Sequence, residues 1–299
     1  EVLSPRAAGI AIAAMFGNKH FLDAETAGLF REGGTFHILV ISGLHITFLG
    51  GIAVLVVRTL TRRRLVQFIA VCGFLWAYSF AVGAEPPVIR ASLMFTILWF
   101  AYLIHRSGSL PNAYGLCGLV LLAWRPSDLF TPSFQLTFVS VGAIVLAGFP
   151  LVSRIREIGS WTPSQETPFP PFVFETLKRF CETLYWNQRS WDIASSRNAW
   201  SARLFKSPLR FAGGSDVARR FSARLFEALL ISAIVQIAML PLTVHYFHRV
   251  VPVSLVLNVW TGPLVALLAF VSSAAAAFSL ISTALALPFS RLADIISWL

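Results

Sequence analysis

Residues Ile38 to Val57 read ILVISGLHITFLGGIAVLVV, a stretch with no charged residue, and Arg58, Arg62, Arg63 and Arg64 follow with no acid among them. An α-helix needs about 20 predominantly apolar residues to cross the hydrocarbon core of a bilayer, and this run has that length. A closed β-barrel is the other way to span lipid, but its strands alternate apolar and polar residues, whereas this run is continuously apolar. The reading is a transmembrane helix with a cluster of cations at its end.

Similar runs lie on either side. Leu65 to Gly83 is a second span, and the Glu85-Pro86-Pro87 turn leads into a third, Val88 to Ile104, closed by His105 and Arg106. The apolar piece Ala113 to Trp124 is short, so it is either a tilted span or a half-helix. Thr131 to Val152 is another span, and Leu225 to Phe247 the next, expected to break at Pro241. Pro252 opens a tract that runs nearly to Leu299, where Pro263 and Pro288 suggest two spans or one span with broken segments. Residues 1–36 combine the Ala-rich Ala7–Ala14 with a mixed-charge stretch, too short to span and expected at the membrane surface. The opening at Glu1, with no initiator Met and no signal-peptide pattern, reads as a piece of a longer polypeptide.

Composition agrees with these runs. Of 299 residues, 56% are hydrophobic and 13% charged, where a soluble domain carries about 25% charged. The fold class is all-α, a polytopic helical transmembrane bundle with broken or half-helices. Its expected parts are a lead-in over 1–36, a helix group over 37–152, a basic segment over 153–224 and a second helix group over 225–299. The basic segment holds twelve Lys or Arg against six Asp or Glu. In it Val173, Leu177, Phe180 and Leu184 share one helical face, the pattern of an amphipathic helix lying in the interface. Loop cations set orientation, which makes the Arg58–Arg64 cluster, the His105–Arg106 turn and the basic segment cytoplasmic.

Polar residues inside apolar runs are the candidate site. His37, Ser42 and His45, with Gly43 between the latter two, are the densest group. At 100° per residue Ser42 and His45 share nearly one face, and His37 stands about 80° from His45. A Ser–His pair is a possible nucleophile and base, and two imidazoles are possible metal ligands. No third orienting group is evident, and the two imidazoles are too far apart along one helix to chelate together. Close packing at Gly43 with imidazoles bonded across helices accounts for the same residues. Arg90 lies about one turn inside its span, after Pro86 and Pro87 open the helix. It either snorkels to the interface, faces an aqueous path, or pairs with Glu85. Asn112, Gln135 with Thr137 and Ser140, Gln236 before Pro241 and Asn258 before Pro263 complete the set, which together favours a polar interior.

No phosphate-binding glycine loop, no HExxH and no cysteine pairs occur, and Cys72, Cys117 and Cys181 read as packing residues. No catalytic residue, metal or cofactor is assigned. The formal charge of +10 suits nucleic acid, but positive-inside topology and anionic lipid produce it equally well.

Taken together these motifs resemble the ComEC-type competence family. His37 to His45 is similar to its H-L-x-x-(V/I)-S-G-L-H signature, and the match continues in order through Glu85–Ala91, Asn112, Trp124–Leu129 and Phe134–Phe138. Gln236–Phe247 and Asn258–Pro263 complete it. The resemblance implies a channel that passes single-stranded DNA across the cytoplasmic, or inner, membrane of a bacterium during natural transformation. It also implies an outer DNA receptor and a cytoplasmic ATPase or helicase as partners, with any nuclease chemistry in an appended domain outside this sequence. Two other readings remain open from the residues: a membrane-embedded hydrolase using Ser42 with His45 or His37, and a small-solute transporter.

Overall fold

Helix starts follow from the sequence wherever proline or a capping acid stands at the right place. The computed structural model describes residues 3–16, 19–34, 43–104, 109–164, 167, 169–197, 216–248, 250–279 and 282–298. Asp23 caps α2 (Ala24–Glu32), its carboxylate accepting from the Thr26 amide at 2.7 Å, and that bond lowers the Asp23 pKa. Before it comes α1 (Pro5–Phe16). Then follow α3 (Gly43–Leu60), α4 (Arg64–Ala81), α5 (Pro86–Leu103) and α6 (Leu110–Trp124). Proline occupies the first turn of both α5 and α6, where its missing amide hydrogen is no loss. The α4–α5 turn is tight because Gly83 takes φ +89°, a left-handed conformation open to glycine without a Cβ penalty.

The second half mixes short helices with the two longest of the chain's described helices. α7 (Pro132–Gly142) passes through a π-helical segment, Ala143–Gly148, into α8 (Phe149–Gly159). α9 (Glu175–Tyr185) and α10 (Gln188–Arg197) are short, and α11 (Asp216–Phe247), α12 (Ser254–Ser279) and α13 (Thr283–Trp298) follow. Five helical stretches are long and apolar enough to cross a membrane: Arg64–Ala81, Pro86–Leu103, Pro132–Gly159, Val217–Phe247 and Ser254–Ala276. Ile46–Leu60 and Leu110–Trp124 are shorter apolar helices. Among the described residues there is no strand. The chain is an all-α helical membrane bundle, as its apolar runs require.

Three details differ from the sequence expectation. Pro241 does not break its span, because α11 continues through it to Phe247; bilayer helices tolerate proline where neighbours accommodate the freed carbonyl. The helices also overrun the charge boundaries, with α8 reaching Gly159 and α11 starting at Asp216, both inside the expected basic segment. Arginine stems lie along a helix and carry their charge outward, so a cation does not end a span. The last tract resolves into one membrane-length helix, α12, and the shorter α13, each carrying its proline internally.

The chain divides into two compact units, Glu1–Gly142 with Gln236–Leu299, and Ala143–Val235. In the first, Ile46, Val54, Val71, Leu75 and Val88 form a core between α3, α4 and α5. A second core joins Ala7 and Ile10 of α1 to Leu268 and Val271 of α12 and Ala293 and Ile296 of α13. Alanine at these contacts lets backbones approach closely, the usual way helices pack inside lipid. In the second unit α9 packs on α8 so closely that a Cβ on Gly159 would collide with the Cys181 carbonyl oxygen. Trp161, Trp186 and Trp191 cluster beside them.

Candidate functional site

Arg90 is the centre of the polar interior of the first unit. Its position in the first turns of α5 points it inward, and the residue is only 3% exposed. Nη2 donates to the Ser133 carbonyl at 2.9 Å, to Ser133 Oγ at 2.8 Å and to Thr137 Oγ1 at 2.9 Å. Ser133 and Thr137 are one turn apart on α7, so both hydroxyls face α5, and Thr137 Oγ1 donates back to the Ser133 carbonyl at 2.9 Å. On the α6 side the Cys117 thiol lies 3.7 Å from the Arg90 carbonyl oxygen. The guanidinium Nε is buried with no hydrogen-bond partner in the protein.

A buried guanidinium is costly unless paired or fully hydrogen-bonded. Arg90 is therefore not a snorkelling residue: it is buried and turned into the bundle. Nor does it pair with Glu85, since the ion pairs recorded among the described residues lie elsewhere, at Arg156–Glu227, Lys178–Glu182 and Arg179–Glu175. What holds Arg90 is a set of neutral oxygens on α7.

The other candidates form links between helices. Gln135 Nε2 donates to the Leu129 carbonyl at 3.0 Å, and its Oε1 accepts from the Tyr246 hydroxyl of α11 at 2.8 Å. Gln236 Nε2 donates to the Val251 carbonyl at 2.9 Å and to Ser254 Oγ at 2.7 Å, which ties α11 to the start of α12. Asn258 lies one turn beyond Ser254 on α12, and Gln236 Oε1 and Asn258 Oδ1 are both buried without a partner. Ser140 donates to the Thr137 carbonyl at 2.9 Å, within its own helix. Asn112 is exposed in the first turn of α6, and Glu85 is half-buried at the start of α5 without capping it. His37 and Ser42 lie outside the described residues; Gly43 and His45 begin α3, but their side chains are also outside them.

Sequence reasoning singled out Thr137 but missed Ser133 and the hydroxyls between α4 and α5. Ser79 and Ser92 are buried and bonded to each other at 2.7 Å across α4 and α5, and Trp76 Nε1 donates to Thr96 Oγ1 at 3.1 Å beside them. Isolated serines in apolar runs give little signal. The four-residue spacing of Ser133 and Thr137 was the one pattern available, since it puts two acceptors on one helix face. Among the described residues no three His, Cys, Asp or Glu side chains are placed to hold a metal ion.

The chain is similar to several known proteins. The chain is 29% identical over 174 residues to ComE operon protein 3 of Bacillus subtilis, covering 54% of this chain and 22% of that protein. It is 30% identical over 145 residues to Recombination protein 2 of Haemophilus influenzae, covering 46% of this chain and 18% of that protein. An uncharacterized protein of Aquifex aeolicus is 32% identical over 138 residues, 46% of this chain and 32% of that protein. The chain thus spans a third or less of the length of these curated relatives. No solved structure matches it. The Competence protein family matches residues 14–299, and the chain belongs to that family, as a ComEC-type competence protein.

Proposed function

We propose that this chain forms the path by which single-stranded DNA crosses the cytoplasmic membrane, with Arg90 a fixed positive charge that the phosphates meet. The observation that carries the reading is the state of Arg90: buried, always charged, and bonded through Nη2 to neutral oxygens while Nε has no protein partner. A single guanidinium suits conduction, because a strand must bind strongly enough to enter and weakly enough to leave. The polar links of Gln135, Tyr246, Gln236 and Ser254 offer neutral groups, and 13% of the chain is aromatic, the residue class on which unpaired bases stack. The chain supplies no phosphate-binding loop of its own. An outer DNA receptor delivers the strand and a cytoplasmic ATPase draws it inward, with the Arg58–Arg64 cluster on the cytoplasmic side.

The test is uptake in cells whose full-length protein carries Arg90→Gln. Passage through this path predicts that duplex DNA still binds at the surface while entry of nuclease-resistant single strands is lost, at unchanged membrane abundance. Normal entry with Arg90→Gln rejects the reading. Normal Arg90→Gln entry together with lost entry on Ser42→Ala moves the chemistry to the His37–His45 segment and favours the hydrolase.

A further inference from the structure

Among its described residues the second unit exposes a run of apolar side chains just before and at the start of α9. Phe172 is 106% exposed, Phe174 85% and Leu177 41%, and no charged residue lies between Thr167 and Phe174. Two prolines in that run, Pro170 and Pro171, keep the backbone from joining α9. A contiguous apolar patch of this kind marks an interaction surface.

The docking of α9 shows what that surface meets. α9 packs on Gly159, the last residue of the membrane-length stretch Pro132–Gly159. It is also held to α11, where the Phe180 ring meets Phe226 edge-on at 5.2 Å and the Tyr185 hydroxyl donates to Glu227 Oε1 at 2.8 Å. Arg154 and Arg156 stand on the same end of α8, and Arg220 and Arg224 on the first turns of α11. Cations at the ends of two membrane-length helices mark the headgroup level, and α9 lies across both ends. The cations of α9 itself are paired within the helix, Lys178 with Glu182 at 3.9 Å and Arg179 with Glu175 at 3.0 Å. They are therefore poorly placed to recruit an acidic partner or an anionic headgroup.

We infer that Phe172, Phe174 and Leu177 form an apolar anchor inserted into the lipid interface, held by apolar contact and not by charge. The anchor fixes α9, and through it the ends of α8 and α11, at the membrane surface. This goes beyond the DNA path and stands whether or not Arg90 touches phosphate.

The test places nitroxide labels on the full-length protein in phosphatidylcholine vesicles, by Phe172→Cys, Phe174→Cys and, on another face of α9, Thr183→Cys. The native thiols are buried, so the parent protein treated alone supplies the background signal. Collisions with oxygen should exceed those with a water-soluble nickel complex at 172 and 174, and the order should reverse at 183. Adding phosphatidylglycerol should leave the pattern unchanged. Nickel collisions dominating at 172 and 174 put the run in water and overturn the inference. Low collision with both reagents there means a protein covers it, and insertion that requires phosphatidylglycerol makes charge the agent; either result also overturns it.

Discussion

Arg90 Nη2 of α5 lies 2.9 Å from Thr137 Oγ1 of α7, a hydrogen bond between residues that fall in two separate motifs of the sequence. Its hydrogen-bond partners are neutral, so removing the guanidinium leaves no hydrogen-bonded carboxylate stranded. Thr137 keeps its own bond to the Ser133 carbonyl. Arg90→Gln should therefore retain membrane abundance while DNA entry falls roughly tenfold or more, the effect of losing about 1.4 kcal/mol at one charged contact. Arg90→Lys should keep part of the activity, since a point charge cannot reproduce the planar fork. Glu85→Gln added to Arg90→Gln should restore nothing, because the two side chains are not paired. Measuring uptake beside immunoblotted membrane fractions checks all three, and rescue by the double change would reinstate the ion-pair lock.

Gly50 of α3 faces the Phe95 ring of α5, and a Cβ there would come within 2.6 Å of the ring. Gly50→Ala should lower stability in detergent by about 1–3 kcal/mol through overpacking. Gly51 is the internal control, since a Cβ there meets nothing within 4 Å. Thermal unfolding of the two variants should separate them clearly, and equal midpoints would mean α3 does not press on α5.

Much of this fold was legible in the chain because lipid imposes a simple rule: continuous apolar length, with prolines at helix starts. The runs Leu65–Gly83 and Val88–Ile104 became α4 and α5 within a few residues. Helix ends were less legible at Arg154, Arg156, Arg220 and Arg224, where the helices run on past the cations. Pro241 misled for a related reason, since a lost backbone bond does not terminate a helix held by its neighbours. Of the candidate site, Arg90, Gln135 and Gln236 were visible as polar residues in apolar runs. Their partners were not, because Ser133, Tyr246 and Ser254 are ordinary residues until the fold brings them across.

Arg62 precedes α4 and Ala84 follows it in the turn to α5, with a membrane-length helix between them. Cysteines at 62 and 84 should therefore react with an impermeant maleimide from opposite faces, and 62 should react only from the cytoplasmic side. Labelling of both from one face would show that Arg64–Ala81 does not cross.

Glu227 accepts from Arg156 Nε at 2.6 Å and from the Tyr185 hydroxyl at 2.8 Å, and these bonds hold α9 and α8 to α11. Burial and the neighbouring carboxylate push the Tyr185 phenol well above its ordinary range, so it remains a hydrogen donor throughout the neutral and mildly alkaline range. The two ends of the ion pair are not equivalent. The Arg156 side chain is 56% exposed and can turn to water, whereas the Glu227 side chain is only 13% exposed and cannot. Losing Arg156 thus strands a mostly buried carboxylate with one hydroxyl for company, while losing Glu227 leaves a solvated cation. Cys181 reports the result, because its thiol is fully buried where α9 meets α8 and becomes reactive only when α9 lifts away. Burial also raises its pKa, which keeps the docked thiol inert. Arg156→Met should speed Cys181 modification by roughly tenfold, equivalent to about 1.4 kcal/mol of easier opening. Glu227→Met should speed it less, and Tyr185→Phe by roughly a few-fold, the weight of a typical net hydrogen bond of about 1 kcal/mol. The rates should be read by mass spectrometry, with Cys72 and Cys117 as internal standards that stay protected unless the whole bundle unfolds. A larger effect from Glu227→Met than from Arg156→Met would mean that Arg156, despite its exposure, is the partner that cannot stand alone.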